Sequence, residues 1–208
     1  MGRTASGQAW GRVVRNVVGG RATSPSSEER HGTGQIGEGD RASDEGESVV
    51  VKPAAEKVQA VIKELGLDRL VIELDAHART SEQAAQAIGV GVGQIAKSLV
   101  FMAEGSPILV VASGANRVDE RRLAALLGRA IRRADPEAVK RATGFSIGGV
   151  APLGHPVPLP VYIDRDLLQH ALIYAAAGGA EYVFPLTPDE LVRATGGAVV
   201  DIKQQTIE

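Results

Sequence analysis

The stretch Gln94-Ile95-Ala96-Lys97-Ser98-Leu99-Val100-Phe101 is an apolar run with one lysine embedded in it. From Ile95 to Met102 it has the composition of a strand. Alternate side chains on a strand share a face, so Lys97 stands with Ile95 and Leu99. Lysine is rarely buried without a partner. Either that face lines a pocket, or Lys97 sits on an exposed sheet edge. In a pocket its cation would grip a phosphate or polarise a carbonyl.

Working outward, Thr80 to Gln83 fits a capping box, and Ala84, Ala85, Ala87 and Ile88 continue that helix to Gly89. Upstream, Pro53 suits a first helical turn, and Ala54, Ala55, Val58, Ile62 and Leu65 recur at helical spacing before Gly66. Leu70 to Leu74 reads as a strand. Downstream, Ile108 to Ala112 is a second short apolar strand. Asp119 to Leu127 is a helix stopped by Gly128. Asp135-Pro136 opens another, which runs to about Ala142. Val161 to Ile163, Ala171 to Ala176 and Tyr182 to Phe184 read as strands. Thr187-Pro188 caps a last helix, and Ala198 to Ile202 closes the pattern. Strands and short helices mix without a βαβ rhythm, and no GxGxxG or Walker loop follows a first strand. The expected fold is therefore α+β, with a curled, mixed sheet and short helices around it.

Composition narrows the function classes. The chain has 208 residues, which suits one domain plus an appendage. Aromatics are only 3%, so Val, Leu, Ile and Ala must supply the packing. The net charge of -2 gives no global basic field, so contact with nucleic acid must come from a local patch. With no cysteine, disulfides, thiol nucleophiles and thiolate metal sites are excluded. The four histidines, His31, His77, His155 and His170, form no HxxxH or HExxH pair, which argues against a zinc hydrolase. No apolar run reaches the ~18–20 residues that span a bilayer. A soluble, cytoplasmic protein that uses no metal or cofactor is the expectation.

Residues 1–48 read as a disordered extension, rich in Gly, Ser, Arg and Glu and without periodicity. Arg3, Arg12, Arg15 and Arg21 precede an acidic stretch from Glu28 to Glu47. A solvated tail is preferred over a transit peptide or a myristoylation signal at Gly2. The folded domain is placed at residues 49–208.

Three further features could carry chemistry. The loop Thr143-Gly144-Phe145-Ser146-Ile147-Gly148-Gly149-Val150-Ala151-Pro152-Leu153-Gly154 has paired glycines that let backbone amides approach a ligand; a plain structural turn explains the same residues. Ser113-Gly114-Ala115-Asn116-Arg117 follows a strand and is either a simple turn or a pocket rim bearing Asn116 and Arg117. Between Arg117 and Arg141 lie eight Arg or Lys against four Asp or Glu, including Arg121, Arg122, Arg132 and Arg133. That stretch is either a phosphate-binding face or a solvated helical surface.

Together these pieces resemble the YbaK-type aminoacyl-tRNA editing domain, also called the prolyl-tRNA-synthetase-associated domain, over about residues 52–203. The carriers are Thr80-Ser81-Glu82-Gln83-Ala84-Ala85, Gly89-Val90, the Lys97 strand, Ser113-Gly114, and Thr143-Gly144-Phe145 leading into Gly148-Gly149-Val150-Ala151-Pro152. The resemblance implies a mixed, barrel-like α+β fold with a pocket for the aminoacyl end of tRNA, and hydrolysis of mischarged tRNA by a free-standing enzyme. It matches the family's lysine to Lys97 and its G-x-x-x-P loop to Gly148 through Pro152. In that reading Lys97, Gly148 and Gly149 are catalytic, and Ser98, Asn116, Arg117, Val150 and Pro152 bind substrate. Arg121, Arg122, Arg132 and Arg133 bind tRNA. The expected partners are mischarged tRNA and a cognate synthetase, with neither membrane nor DNA. The competing expectations are a non-catalytic module that docks on tRNA or a synthetase, and a small-molecule pocket protein of unrelated function.

Overall fold

The structure is a computed structural model that describes residues 15–16, 53–74, 78 and 80–205. In chain order its elements are β1 (Arg15–Asn16), α1 (Pro53–Glu64), β2 (Ile72–Glu73), α2 (Ser81–Ile88), β3 (Ile95–Ala103), β4 (Ser106–Ser113), α3 (Glu120–Leu127), β5 (Ile131–Arg133), α4 (Pro136–Thr143), β6 (Val161–Asp164), β7 (Ile173–Ala176), β8 (Tyr182–Leu186), α5 (Pro188–Thr195) and β9 (Ala198–Val200). Short 3-10 turns lie at Val92–Gln94 and Arg165–Gln169. The extension expected at 1–48 lies outside the described residues, except for Arg15–Asn16. Those two pair antiparallel with Ile72 and Glu73, which is strand where no strand was expected.

The helices start and stop as local chemistry dictates. Thr80 Oγ1 accepts from the Gln83 N–H at 3.2 Å, and Gln83 Oε1 accepts from the Thr80 N–H at 3.2 Å, so the capping box is complete. Asp119 and Asp135 cap α3 and α4 by accepting the Arg122 and Ala138 N–H groups at 3.0 and 2.8 Å. Thr187 does the same for α5, and Glu190 returns the bond to the Thr187 N–H at 2.7 Å.

Among the described residues the strands form one mixed sheet in the order β1-β2-β8-β7-β3-β4-β6-β9, with β5 added to β3. β3 and β4 pair antiparallel from Ala96↔Ser113 to Ala103↔Ser106. β7 meets β3 in parallel, as do β6 with β4 and β9 with β6. Core lies against both faces of the β3–β4 pair, which is why both strands are nearly continuous in apolar residues. Ala96, Val100, Leu109 and Val111 pack with α1, Phe145 and Phe184. Phe101, Ala103, Ile108 and Val110 pack with Leu123 and Ile202. Ile95 joins α2 and Tyr174 in a third cluster.

Several elements depart from the sequence pattern. β2 is shorter than Leu70–Leu74 because the Gln59 side chain takes the Arg69 carbonyl at 3.0 Å and the Val71 N–H at 2.7 Å, so the ladder begins only at Ile72. β7 begins at Ile173, because the Leu172 carbonyl is taken by Gln94 Nε2 at 3.0 Å. β5 was not expected at all: Ile131-Arg132-Arg133 has no apolar alternation and exists by pairing with Phe101–Ala103.

Candidate active site

β3 is covered along one edge by β4, but its other edge is shared. β7 pairs with it only at Ile95 and Ala96, and β5 only at Phe101 to Ala103. Between them Val100 accepts from the Ala134 N–H at 3.1 Å, and among the described residues no strand pairs with Lys97 to Leu99 on that side. N–H and C=O of one strand residue point to the same edge. Since Val100 faces this gap, the backbone of Ser98 faces it too. A cleft of about 330 Å³ opens here. Its wall includes Lys97, Ser98, Leu99 and Val100 from β3, Thr80, Ser81 and Ala84 from α2, Ile147, Gly148 and Val150 from the glycine loop, and Tyr174 from β7.

Lys97 is half-buried at this cleft. Its Nζ donates to the carbonyl oxygens of Asn116 at 2.5 Å and Gly114 at 3.4 Å. An ammonium has three donors, so one N–H remains for a ligand. Burial holds the Lys97 pKa below the usual lysine value. The charges of Glu82 and Asp164 oppose that shift, while Arg117 and Arg133 add to it.

Ser98 Oγ is buried and has no hydrogen-bond partner among the described residues. A buried hydroxyl without a partner costs free energy unless water or a ligand completes its bonding.

The glycine loop is fixed from below. Thr143 Oγ1 donates to the Val139 carbonyl at 2.8 Å and accepts the Phe145 N–H at 3.1 Å. Phe145 then seats in the core. Gly149 donates its N–H to the Ser146 carbonyl at 3.0 Å and accepts the Gly178 N–H at 3.0 Å. A Cβ on Gly149 would stand 2.7 Å from Gly179 Cα and 2.8 Å from Gly179 N, so no side chain fits. Gly148 has φ +89 and faces open space. The N–H groups of Gly148 and Val150 have no protein acceptor among the described residues. The Gly149 amide is thus committed to the turn.

The other expected site residues divide. Lys97, Ser98, Gly148 and Val150 line the cleft; Gly149 and Pro152 are buried behind it. The Asn116 side chain is turned away, its amide donating to Asp164 Oδ2 at 2.8 Å and Asp166 Oδ2 at 2.9 Å. Arg117, Arg121, Arg122 and Arg133 line a second, polar groove of about 920 Å³ with Gln204 and Gln205. Arg133 lines both the groove and the cleft, so the two adjoin. Arg122 pairs with Asp201 at 2.9 Å and Arg133 with Glu120 at 2.8 Å. Arg132 lies outside the groove, beside Asp135 at 4.0 Å. Tyr174, Thr80 and Ile147 were not singled out from sequence as site residues. A cap, a strand and a loop position carry no local mark of meeting at one cleft.

His155 is tied to the Ala151 carbonyl at 2.9 Å, and burial lowers its pKa. His77 lies outside the described residues. Among the described residues no group of three or more His, Cys, Asp or Glu is placed to hold a metal ion, and no helix is long and apolar enough to cross a membrane.

Residues 75–194 match the family model described as the aminoacyl-tRNA editing domain. The chain belongs to that family. It is 38% identical over 122 residues to the uncharacterized protein YwhH of Bacillus subtilis, covering 58% of this chain and 78% of that one. It is 26% identical over 125 residues to EbsC of Enterococcus faecalis, named as a candidate Cys-tRNA(Pro)/Cys-tRNA(Cys) deacylase, covering 59% of this chain and 76% of that one. A solved structure described as a candidate trans-editing enzyme for prolyl tRNA synthetase is 45% identical, with a TM-score of 0.73, covering 74% of this chain and 99% of that one.

Proposed function

We propose that the chain is a trans-acting aminoacyl-tRNA deacylase, with residues 49–208 as the editing unit. The observation that carries this is the meeting, at one cleft, of a held ammonium at Lys97 with Gly148 and Val150, whose backbone amides have no acceptor among the described residues.

The substrate is the ester between an amino acid and the terminal ribose of tRNA. Its carbonyl oxygen gains negative charge as water attacks. Amides held in place for that charge need no reorganisation during the reaction, and each such donor is worth about 10²–10³ in rate. The Gly148 and Val150 N–H groups supply them. The third N–H of Lys97 holds the ester or the adjacent phosphate. The C–O bond to the ribose breaks, the ribose oxygen takes a proton, and the free amino acid leaves. Among the described residues no Ser-His-Asp set lines this cleft, and in this reading the protein contributes orientation and charge stabilisation. Ser98 Oγ is a polar contact for the bound aminoacyl group. The groove lined by Arg121 and Arg122 adjoins the cleft at Arg133 and takes the phosphates of the tRNA end. The setting for this work is the cytoplasm, alongside the synthetase that makes the error.

The test is release of amino acid from cysteinyl-, alanyl-, seryl- and threonyl-tRNA by the full chain. Rapid clearance of one ester supports the proposal. Tight tRNA binding without clearance of any ester replaces it with the binding-module function.

A further inference from the structure

Lys97 is held by carbonyls, and those carbonyls are held by something else. Gly114 and Asn116 lie in the turn after β4, and the turn is pinned at each step. The Gly114 N–H donates to the Ile95 carbonyl at 2.7 Å. A Cβ on Gly114 would stand 2.5 Å from the Val92 carbonyl oxygen, so the backbone is pressed into place. The Asn116 N–H donates to the Ser113 carbonyl at 3.0 Å. Beneath the turn lies Asp164, 1% exposed at the end of β6. Its carboxylate accepts from the Ser113 N–H at 3.1 Å, from Asn116 Nδ2 at 2.8 Å and from the Asp166 N–H at 3.1 Å. Asn116 Nδ2 spends its second hydrogen on Asp166, which Lys203 Nζ approaches at 3.2 Å.

We infer that Asp164 is a positioning residue for Lys97: through the Asn116 amide it fixes the two carbonyls that aim the ammonium into the cleft. Burying a carboxylate is expensive, and an apolar side chain of similar size would serve packing alone as well or better. Here three N–H groups repay the cost, and two of them, on Ser113 and Asn116, belong to the turn that grips Lys97. Asn116 touches Lys97 only through its backbone carbonyl, so removing its side chain alters no atom that Lys97 contacts. Asp164 also faces Lys97 as a charge, together with Glu82 from α2 and against Arg117 and Arg133.

The kinetic part of the test rests on the deacylase proposal, and a second readout does not. Asn116→Ala and Asp164→Asn are compared with wild type and Lys97→Ala in the full chain. Misplacement of a catalytic group by about 1 Å can cost about 10²-fold in rate. The expected result is a fall of that order in kcat with KM within twofold, and thermal unfolding that remains cooperative. The second readout is the pH titration of the Lys97 side chain by NMR with 13C-labelled lysine, assigned with Lys97→Arg. Both variants should move the Lys97 resonance, and Asp164→Asn should lower its pKa further. If Asp164→Asn does not fold, Asn116→Ala alone decides. Unchanged kcat in Asn116→Ala, with Lys97→Ala inactive, overturns the positioning role and leaves the deacylase standing. If wild type clears no ester, an unmoved Lys97 resonance in Asn116→Ala overturns it, and a moved one supports it.

Discussion

Gly149 and Gly179 meet backbone to backbone, so closely that a Cβ on Gly149 would fall 2.7 Å from Gly179 Cα. Backbone cannot step aside as a flexible side chain can. Gly149→Ala should therefore cost stability by about 1–3 kcal/mol, the range for overpacking, and displace the amides on either side. Thermal unfolding and kcat check this together. A Gly149→Ala protein as stable and active as wild type contradicts the close approach.

Ser98 offers the opposite balance. Its buried Oγ has no partner among the described residues, so Ser98→Ala removes an unsatisfied group at little packing cost. The variant should be as stable as wild type or more so, by up to about 1 kcal/mol. Its kcat/KM should fall, because the proposed partner of the hydroxyl is the substrate. Loss of stability with activity intact would mean that the hydroxyl serves the fold.

Lys97 sets a pH limit. Burial lowers its pKa below 10.5, so its charge is lost earlier than for a surface lysine as pH rises. After subtraction of spontaneous ester hydrolysis, the enzyme-dependent rate should decline through that window. Stability runs the other way. The unfolded chain holds this proton more tightly than the folded one, so folding stability increases from the lowered pKa up to 10.5. Lys97→Arg should carry any remaining activity to higher pH without the decline, since guanidinium stays charged.

The groove residues should act on binding. Arg121→Glu with Arg122→Glu should raise KM for tRNA and flatten its dependence on salt, with kcat nearly unchanged. Titrations at two salt concentrations test this. A fall in kcat alone would move these arginines out of the tRNA contact.

Much of the fold was legible because its punctuation is local. Thr80 with Gln83, Asp119, Asp135 with Pro136, and Thr187 with Pro188 each cap a helix through bonds within four residues. The apolar runs at β3 and β4 were legible because both faces are covered. β5 was not, since two arginines and one isoleucine become a strand only through β3. At the site, Lys97 stood out as a charge in an apolar run, and Gly148-Gly149 as paired glycines. The role of each glycine was not legible: only the structure separates Gly148 at the cleft from Gly149 packed on Gly179. Asn116 was open between a simple turn and a pocket rim; its side chain turns down to Asp164, and Asp164 itself drew no notice at the end of a short strand.

Lys97 at the β3 gap is the residue proposed to act on the aminoacyl ester. The most direct test of that role is single-turnover deacylation of the ester cleared in the panel, by wild type and Lys97→Ala, with tRNA binding measured in parallel. Lys97→Ala should bind tRNA and lose at least about 10²-fold in rate, the scale of one removed charge-stabilising donor. A Lys97→Ala protein that clears the ester at the wild-type rate contradicts that role.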